Sequence, residues 1–299
     1  MKYCGIDLHS NNSVVVITDE TDHVLHSKRH PNDLTQILRA LEIHRAELSG
    51  VVVESTYNWY WLVDGLLEAG YRVHLANTTA IKQYDGLKHR GDESDARHLA
   101  HVLRLGLLPE GHIMPKAERA VRDLARKRMQ LVQQRTAQIL SIENSLSRYT
   151  GGHISSNSIK RLQETDLTQM QLGDMRTLGL KANVAVMQAL QEQIDGLEKM
   201  LAQHCRKEAG YRLLKTVDGI GEVLATVIML ETGDIARFNE VGNYASYCRC
   251  VASRHESNGK KKAKRNSTVA IKAVAHKLAR ACYHILKNKE TFSVERCFA

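Results

Sequence analysis

Short apolar runs separated by polar turns open the chain. Residues 3–7, 13–18 and 24–29 combine apolar and β-branched side chains, and polar residues lie between them. This composition is typical of short strands joined by turns. The pattern therefore predicts an antiparallel meander of three strands.

Helical and strand-like patterns then alternate. Apolar residues recur at helical spacing from Asp33, and an apolar run typical of a buried strand follows at residues 51–54. A second helical pattern covers residues 58–68, and another strand-like run covers residues 71–75. Strands that alternate with helices usually pair in parallel through right-handed crossovers. We therefore predict an α/β domain with a mixed sheet at residues 1–110.

The remainder of the chain has helical patterns. A long polar helix is predicted at residues 116–149, and a break rich in Gly, His and Ser follows it. Apolar residues then alternate by three and four, as in a coiled-coil seam, at Met187, Leu190, Ile194, Leu197 and Leu201. A helical hairpin within one chain and an association between chains both fit this seam. The predicted regions are 1–110, 111–208 and 209–299.

Two carboxylates begin the helix predicted after residue 91. Asp92 and Asp95 lie three residues apart and share a side of the helix with the apolar stripe that starts at Ala96. One interpretation is an N-terminal cap, in which Asp92 caps the helix and Asp95 interacts favourably with its dipole. The other interpretation is a functional site that uses both acids.

Two further acids favour the second interpretation. Asp7 and Glu54 each end a short apolar run that is predicted to be a buried strand. In such sheets active groups gather beyond the carboxyl ends of the strands. Asp7, Glu54, Asp92 and Asp95 would repel one another unless divalent cations lay among them, and oxygen ligands suit Mg²⁺ or Mn²⁺. We therefore predict a metal site that uses these four acids.

Composition limits the class of protein. The chain has 299 residues, of which 43% are hydrophobic and 25% charged, and its formal net charge is +9. No apolar run approaches the roughly 20 residues of a membrane-spanning helix, and the start of the chain lacks the pattern of a signal peptide. The six cysteines are scattered without a CxxC pair, so neither a zinc site nor a disulfide framework is indicated. We expect a cytoplasmic protein that does not enter a membrane.

The charge is unevenly distributed. Acids outnumber bases in residues 1–110, whereas bases greatly outnumber acids after residue 240. A basic region beside an acidic, metal-competent domain indicates a phosphate-backbone partner. Gly219 and Gly221 form a predicted tight turn between two helical patterns, and the turn amides of such helix-hairpin-helix-like segments can contact DNA phosphates.

Five segments together carry a family resemblance: CGIDLHS at 4–10, VVVEST at 51–56, GDESDARHLA at 91–100, VDGIGEVLA at 217–225 and ESNGKKK at 256–262. Their order and spacing resemble those of the DEDD-type insertion-sequence transposases, which are relatives of the pilin-gene invertases. The resemblance implies a ribonuclease H-like N-terminal domain of the Holliday-junction-resolvase type, followed by a helical hairpin or coiled coil and a small, mostly α C-terminal domain. It also implies that the four acids are catalytic.

The same resemblance implies further partners and a nucleophile. Ser257 matches the nucleophilic serine of the family's C-terminal domain. Family members are recombinases guided by a structured RNA, so DNA and a guide RNA are implied partners, and a homo-oligomer, either a dimer or a tetramer, is expected. The adjacent basic residues are expected to contact nucleic-acid phosphates: Lys260, Lys261, Lys262, Lys264 and Arg265.

This chain departs from the family pattern at two places. Asp218 stands before the Gly219–Gly221 turn where relatives commonly have proline, a change that a turn tolerates. After Lys262, relatives carry a helical stretch containing Gly-Asn, and that stretch is missing here. This departure from the family pattern indicates an incomplete serine domain and a degenerate or repurposed copy.

Three other functions are compatible with parts of the sequence. The Gly5-Ile6-Asp7 segment with Ser10 is also found in the phosphate loop of actin-like sugar kinases, but no second glycine-rich phosphate motif follows. A Holliday-junction-type nuclease would need only the four acids and the basic region. A degenerate, non-catalytic nucleic-acid-binding protein would need only the basic region.

Overall fold

The computed structural model describes residues 1–81, 91–251 and 267–298. The chain divides into two compact units, Met1–Lys116 and Ala117–Ala299. Within the described ranges, no helix has both the length and the apolar character that crossing a membrane requires. The division predicted from the sequence at residues 110 and 208 stays a prediction.

A six-stranded mixed sheet forms the centre of the first unit. Its strands are β1 (Lys2–Leu8), β2 (Asn12–Asp19), β3 (Val24–Pro31), β4 (Leu48–Glu54), β5 (Val73–Ala76) and β6 (Glu110–Gly111), in the order β3-β2-β1-β4-β5-β6. β1, β2 and β3 are antiparallel, whereas β4 pairs in parallel with both β1 and β5. The predicted meander and the predicted parallel pairing are both confirmed. The sequence analysis did not predict β6, which pairs antiparallel with β5.

Helices cover the two faces of this sheet. They are α1 (Leu34–Glu42), α2 (Tyr60–Glu68) and α3 (Asp92–Arg104), and short 3-10 turns lie at Arg45–Glu47 and Thr78–Ala80. Ile37 of α1 and Leu62 of α2 are fully buried against Ile6 and the other inward side chains of one face. The opposite face carries α3, whose Ala96 and Leu99 are buried there. Alternating strand side chains thus supply both layers of core.

The second unit is helical in its described residues. Its helices are α4 (Lys116–Thr150, whose first residue belongs to the first unit), α5 (Ser156–Ile159), α6 (Glu164–Gln169), α7 (Asp174–Cys205), α8 (Ala209–Leu214), α9 (Glu222–Thr232), α10 (Val241–Tyr247), α11 (Ser267–Asn288) and α12 (Val294–Phe298). The long helix predicted at residues 116–149 is confirmed. Apolar residues from α4 to α7 form one buried cluster, including Ile142, Leu146 and Val184.

α4 and α7 form an antiparallel hairpin within the chain. Asn183 donates a hydrogen bond to Ser141 over 2.8 Å, and Arg128 donates to Glu198 over 2.8 Å at the other end of the pair. Met187 of the predicted coiled-coil seam is buried in this hairpin. The hairpin interpretation of the seam is therefore confirmed, and association between chains stays a prediction.

The last helices enclose a separate core. Leu214, Ala225, Tyr244 and Tyr283 are buried together from α8, α9, α10 and α11. The Tyr244 and Thr232 hydroxyls lie 2.9 Å apart, which satisfies two buried polar groups. The five cysteines whose side chains the structure describes are free thiols.

Candidate metal centre

Asp7 and Glu54 lie at the carboxyl ends of adjacent parallel strands. Ile6 of β1 pairs with Val53 of β4, so the two acids that follow these residues are neighbours at one edge of the sheet. Asp7 is buried, with 4% of its surface exposed. Because parallel strands end at the same edge, the sheet topology alone brings these two carboxylates together.

The Glu54 carboxyl has a strongly raised pKa. The pKa of Glu54 is raised to about 8, first by burial and then by a hydrogen bond with Asp7 and by the charges of Asp7 and Asp95. Two carboxylates in contact cannot both be ionised without a compensating charge. The raised pKa favours the protonated form of Glu54 at neutral pH, and a cation bound beside the acids would favour its ionised form instead.

Helix α3 brings the other two acids over the sheet. Asp92 and Asp95 lie in its first turn, and its N-cap is Gly91, which makes no side-chain capping hydrogen bond. The interpretation of Asp92 as an N-cap is therefore wrong, because Asp92 is already the first helical residue. Both acids lie in the first turn, where the helix dipole favours negative charge.

The backbone of α3 lies very close to the backbone of β1 at Gly5, and this contact fixes the position of the helix. A Cβ added to Gly5 of β1 would lie 1.9 Å from the Ala96 carbonyl oxygen and 2.9 Å from the Ala100 nitrogen. Only a glycine at this position, facing alanines on the helix, permits such contact. Gly5 and Asp7 are on the same face of β1, so the contact sets the distance from Asp7 to the acids of α3.

His9 lies between Asp7 and Asp92. Its Nε2 atom is 3.2 Å from Asp7 Oδ2 and 3.3 Å from Asp92 Oδ2. The carbonyl oxygen of His9 accepts hydrogen bonds from Asn32 Nδ2 over 3.0 Å and from Asn58 Nδ2 over 2.9 Å, which fix the loop after β1. The sequence analysis assigned His9 no role, although it stands two residues after Asp7.

Arg29 of β3 also reaches this cluster. Its Nη2 atom donates to Asp92 Oδ2 over 2.5 Å, and its Nη1 atom donates to Asn12 over 2.6 Å. The hydrogen bond from Arg29 is the largest cause that lowers the pKa of Asp92 below its usual range. The sequence analysis did not identify Arg29, whose guanidinium favours the ionised form of Asp92.

The donor atoms suit a divalent metal ion. One ligand atom each from Asp7, His9 and Asp92 lies within 4.8 Å of the others. Oxygen donors with one imidazole nitrogen suit Mg²⁺ or Mn²⁺, and the nitrogen favours Mn²⁺. The convergence of these three donor atoms, beside the partly buried carboxyl of Glu54, is the observation that fits this centre to a cation.

An open cleft of about 280 Å³ adjoins the acids. It is lined by Glu54, Thr78, Thr79, Asp95 and Leu99. Glu54 and Asp95 therefore face space that a substrate phosphate could enter. His98, on the same helix, was assigned no role from the sequence, and the geometry adds none.

An anchor at the far end of α3 holds the helix to the β2–β3 turn. Asp22, which has a φ of 64°, accepts hydrogen bonds from Arg104 Nε over 2.9 Å and Nη2 over 2.6 Å, and its carboxylate lies 2.8 Å from His101 Nδ1. Burial raises the pKa of Asp22, but the hydrogen bonds from Arg104 and His101 outweigh burial and lower it overall. The sequence analysis did not identify this anchor.

The remaining predicted site residues lie elsewhere. Ser257, Lys260, Lys261, Lys262, Lys264 and Arg265 fall outside the described residues. Gly219, with a φ of 89°, and Gly221, the N-cap of α9, form the turn between α8 and α9. Glu222 follows in the first turn of α9, with its carboxylate 3.4 Å from Lys215 Nζ. Contact of this turn with nucleic acid stays a prediction.

Comparisons with known proteins find similarity to transposases. Residues 4–150 match a DEDD transposase model of the IS110 family, and residues 211–292 match a model described as transposase of the IS116/IS110/IS902 family. The chain is also similar to a protein of Pseudomonas aeruginosa called "Probable family 20 transposase", with 26% identity over 243 residues. That match covers 77% of this chain and 70% of the relative. All four acids lie inside the first matched range.

Proposed function

We propose that this chain, which carries the domains of an insertion-sequence transposase of the IS110 family, moves its element by cleaving and rejoining DNA strands. The observation that carries the proposal is the meeting of Asp7 and Glu54 at adjacent strand ends, with Asp95 acting on Glu54 from α3. Such an acidic centre suits phosphodiester chemistry that uses bound divalent metal ions.

The four acids are the proposed metal ligands. Asp7, Glu54, Asp92 and Asp95 would hold one or two Mg²⁺ or Mn²⁺ ions, and His9 adds a nitrogen donor beside Asp7 and Asp92. Bound divalent ions in such sites activate an attacking oxygen and stabilise a leaving oxygen. The protein itself contributes the fixed spacing of the acids, which Gly5 and the Asp22 anchor maintain. A ribonuclease H-like fold for this unit is part of the proposal and is consistent with its mixed sheet.

Ser257 is the proposed nucleophile. Its hydroxyl oxygen attacks a DNA phosphorus, the bond from phosphorus to one sugar oxygen breaks, and the released oxygen takes up a proton. The resulting phosphoserine ester keeps the energy of the broken bond, so a sugar hydroxyl can later attack it, reseal a strand and return the proton to serine without ATP. A recombinase needs this intermediate, whereas a nuclease does not.

Three further parts of the proposal concern partners. A structured RNA guides the choice of DNA, the active form is a dimer or tetramer, and nucleic-acid phosphates contact Gly219, Gly221 and the basic run Lys260, Lys261, Lys262, Lys264 and Arg265. The family resemblance of the sequence supports the RNA and the oligomer. The positive charge of the region after residue 240 supports the phosphate contacts.

A covalent-adduct experiment tests the chemistry. The full chain is incubated with donor and target DNA, with RNA transcribed from the flanking sequence of the element, and with Mg²⁺. We expect a protein–DNA adduct that survives denaturation. We expect no adduct from Ser257→Ala, because the attacking oxygen is gone, or from Asp95→Asn, because a metal ligand is lost.

Two matched variants serve as controls. Ser253→Ala removes a neighbouring serine hydroxyl, and Glu93→Gln removes an exposed carboxylate between Asp92 and Asp95. Both should form the adduct at the wild-type rate. Equal DNA cleavage by wild type and Ser257→Ala, without an adduct, would replace the recombinase mechanism by a metal-dependent nuclease. Binding without any cleavage would leave only a nucleic-acid-binding protein.

A further inference from the structure

A basic groove runs along the last long helix of the second unit. It has a volume of about 590 Å³ and lies between α11 and the segment that follows it. Its charged and polar lining includes His276, Lys277, Arg280, His284, Asn288 and Arg296. None of these residues belongs to the acidic centre or to the basic run after Ser257.

The basic side chains of α11 form one stripe. Lys277, Arg280 and His284 follow one another at spacings of three and four residues, so they project from the same side of the helix. All three are exposed. They span about 10 Å along the helix axis at roughly 1.5 Å per residue. One DNA strand rises about 3.4 Å per phosphate along the duplex axis, so the length of this stripe corresponds to about three such steps.

The single acid among the described lining residues is already neutralised. Glu290 accepts hydrogen bonds from Arg296 Nη1 over 2.7 Å and from Asn288 Nδ2 over 3.0 Å. Lys277 and Arg280 remain beside this Glu290–Arg296 pair, so the lining of the groove has an excess of basic over acidic side chains.

The concave shape distinguishes this stripe from a solvated helix face. A flat basic face presents its charges to water, but a groove surrounds an anion from more than one side and strengthens the local potential. Thr291 and Ser293 border the same groove and offer hydroxyl donors. Backbone phosphates of nucleic acids are commonly bound by such combinations of basic and hydroxyl side chains.

We propose that the groove beside α11 binds the phosphate backbone of double-stranded DNA, with Lys277 and Arg280 as its main contacts. The proposal rests on the proposed function for the choice of DNA as the partner. Its residues are different ones from the four acids and from the basic run at residues 260–265. It requires neither a metal ion nor strand cleavage.

Salt-dependent binding of a fluorescent DNA duplex tests this proposal. The full chain is titrated in EDTA over a range of salt concentrations, so that any failure of the cleavage chemistry does not affect the readout. Lys277→Ala/Arg280→Ala is compared with Arg148→Ala/Lys199→Ala, which removes the same charge from exposed positions on α4 and α7. Alanine is the best helix former, so both double variants should keep wild-type melting temperatures.

We expect the groove variant to bind about tenfold more weakly and to lose about two units from the slope of log K against log salt, since each phosphate contact contributes about 0.9. The control variant should keep the wild-type slope. Equal losses in both double variants would attribute binding to net charge and overturn the proposal. An unchanged slope in the groove variant, or a loss seen with RNA but absent with duplex DNA, would overturn it as well.

Discussion

Glu54 and Asp7 meet where two buried strands end, and a hydrogen bond joins their carboxyl groups. Burial is the first cause of the raised pKa of Glu54, and the neighbouring carboxylates reinforce it. The folded chain therefore binds a proton near neutral pH that the unfolded chain, with an ordinary glutamate, has already released. This difference makes the stability of the fold depend on pH.

The first consequence is a loss of stability between pH 7 and 8.5 in EDTA. A raised carboxyl pKa favours the folded state below about pH 8, so the free energy of unfolding should fall as pH rises through that value. For a partly exposed group, screening limits the loss to about 1 kcal/mol or less. Urea denaturation at several pH values measures it.

Glu54→Gln isolates this effect from other titrating groups. Glutamine has nearly the same shape as glutamate but does not titrate. The difference in free energy of unfolding between wild type and Glu54→Gln should therefore grow as pH rises from 7 to 8.5. Histidines such as His26, whose pKa burial lowers, act mainly below this range. Glu93→Gln should follow wild type throughout. If the free energy of unfolding of Glu54→Gln changed with pH in parallel with that of wild type, Glu54 would not be the group that binds the proton.

The residues of the acidic centre were only partly predictable. Asp7, Glu54, Asp92 and Asp95 could be selected because each ends an apolar run or begins an amphipathic helix. Arg29 was missed because it is 63 positions from Asp92 and reaches it only through strand register. Val14 pairs with both Asp7 and Arg29, so the three stand in one row across the sheet. If the residue pairing of the predicted meander had been worked out, it would have placed Arg29 in the same row as Asp7.

At the scale of elements, the position of α3 decides the geometry of the centre. Gly5 lets the helix contact the backbone of β1, and Asp22 holds the other end of the helix through Arg104 and His101. The sequence analysis treated α3 as an amphipathic helix and did not assign its distance from the sheet. That distance depends on one missing Cβ and on a turn residue with positive φ, neither of which affects hydrophobic periodicity.

Gly5→Ala should move Asp92 and Asp95 of α3 away from Asp7 and Glu54 of the sheet. The new Cβ would lie 1.9 Å from the Ala96 carbonyl oxygen, so α3 must shift away from β1. We expect a destabilisation of about 1–3 kcal/mol, typical of overpacking, together with weaker binding of Mn²⁺ measured by titration calorimetry. Destabilisation comes from the clash, and weaker metal binding comes from the displaced Asp92 and Asp95.

Gly91→Ser is the matched control for this variant. A Cβ at Gly91 meets no described atom within 4 Å, and serine is a favourable N-cap for the same helix. It should leave both stability and Mn²⁺ affinity near wild type. Wild-type Mn²⁺ affinity in Gly5→Ala would mean that the acids of α3 do not contribute to the metal site.

Most strands and helices were predicted correctly from the spacing of apolar residues, and the exceptions have physical causes. Strands β1 to β5 and the helices α1 to α4 begin and end within a few residues of the predicted positions. β6 was missed because two residues, Glu110 and Gly111, carry no periodic signal, and only their pairing with β5 makes them a strand. The N-cap of α3 was misassigned because Gly91 and Asp92 are both common caps.

At the scale of the whole chain, the acidic centre and the basic groove lie in different compact units. Asp7, Glu54, Asp92 and Asp95 all belong to Met1–Lys116, whereas α11 belongs to Ala117–Ala299. The uneven distribution of charge along the sequence already indicated this separation. Binding of a divalent ion should therefore stabilise one unit directly, while DNA binding at the groove should not require that ion.

Hydrogen exchange of the full chain with and without Mg²⁺ tests this separation. A ligand at 100 times its Kd stabilises the state that binds it by about 2.7 kcal/mol, which slows exchange through unfolding of that state about 100-fold. We expect the slowing in β1, β4 and α3, whose residues surround the acids, and little change in the α4–α7 hairpin. Asp95→Asn should lose the protection and Glu93→Gln should keep it. Equal protection of both units, or protection that persists in Asp95→Asn, would place the ion somewhere other than among these four acids.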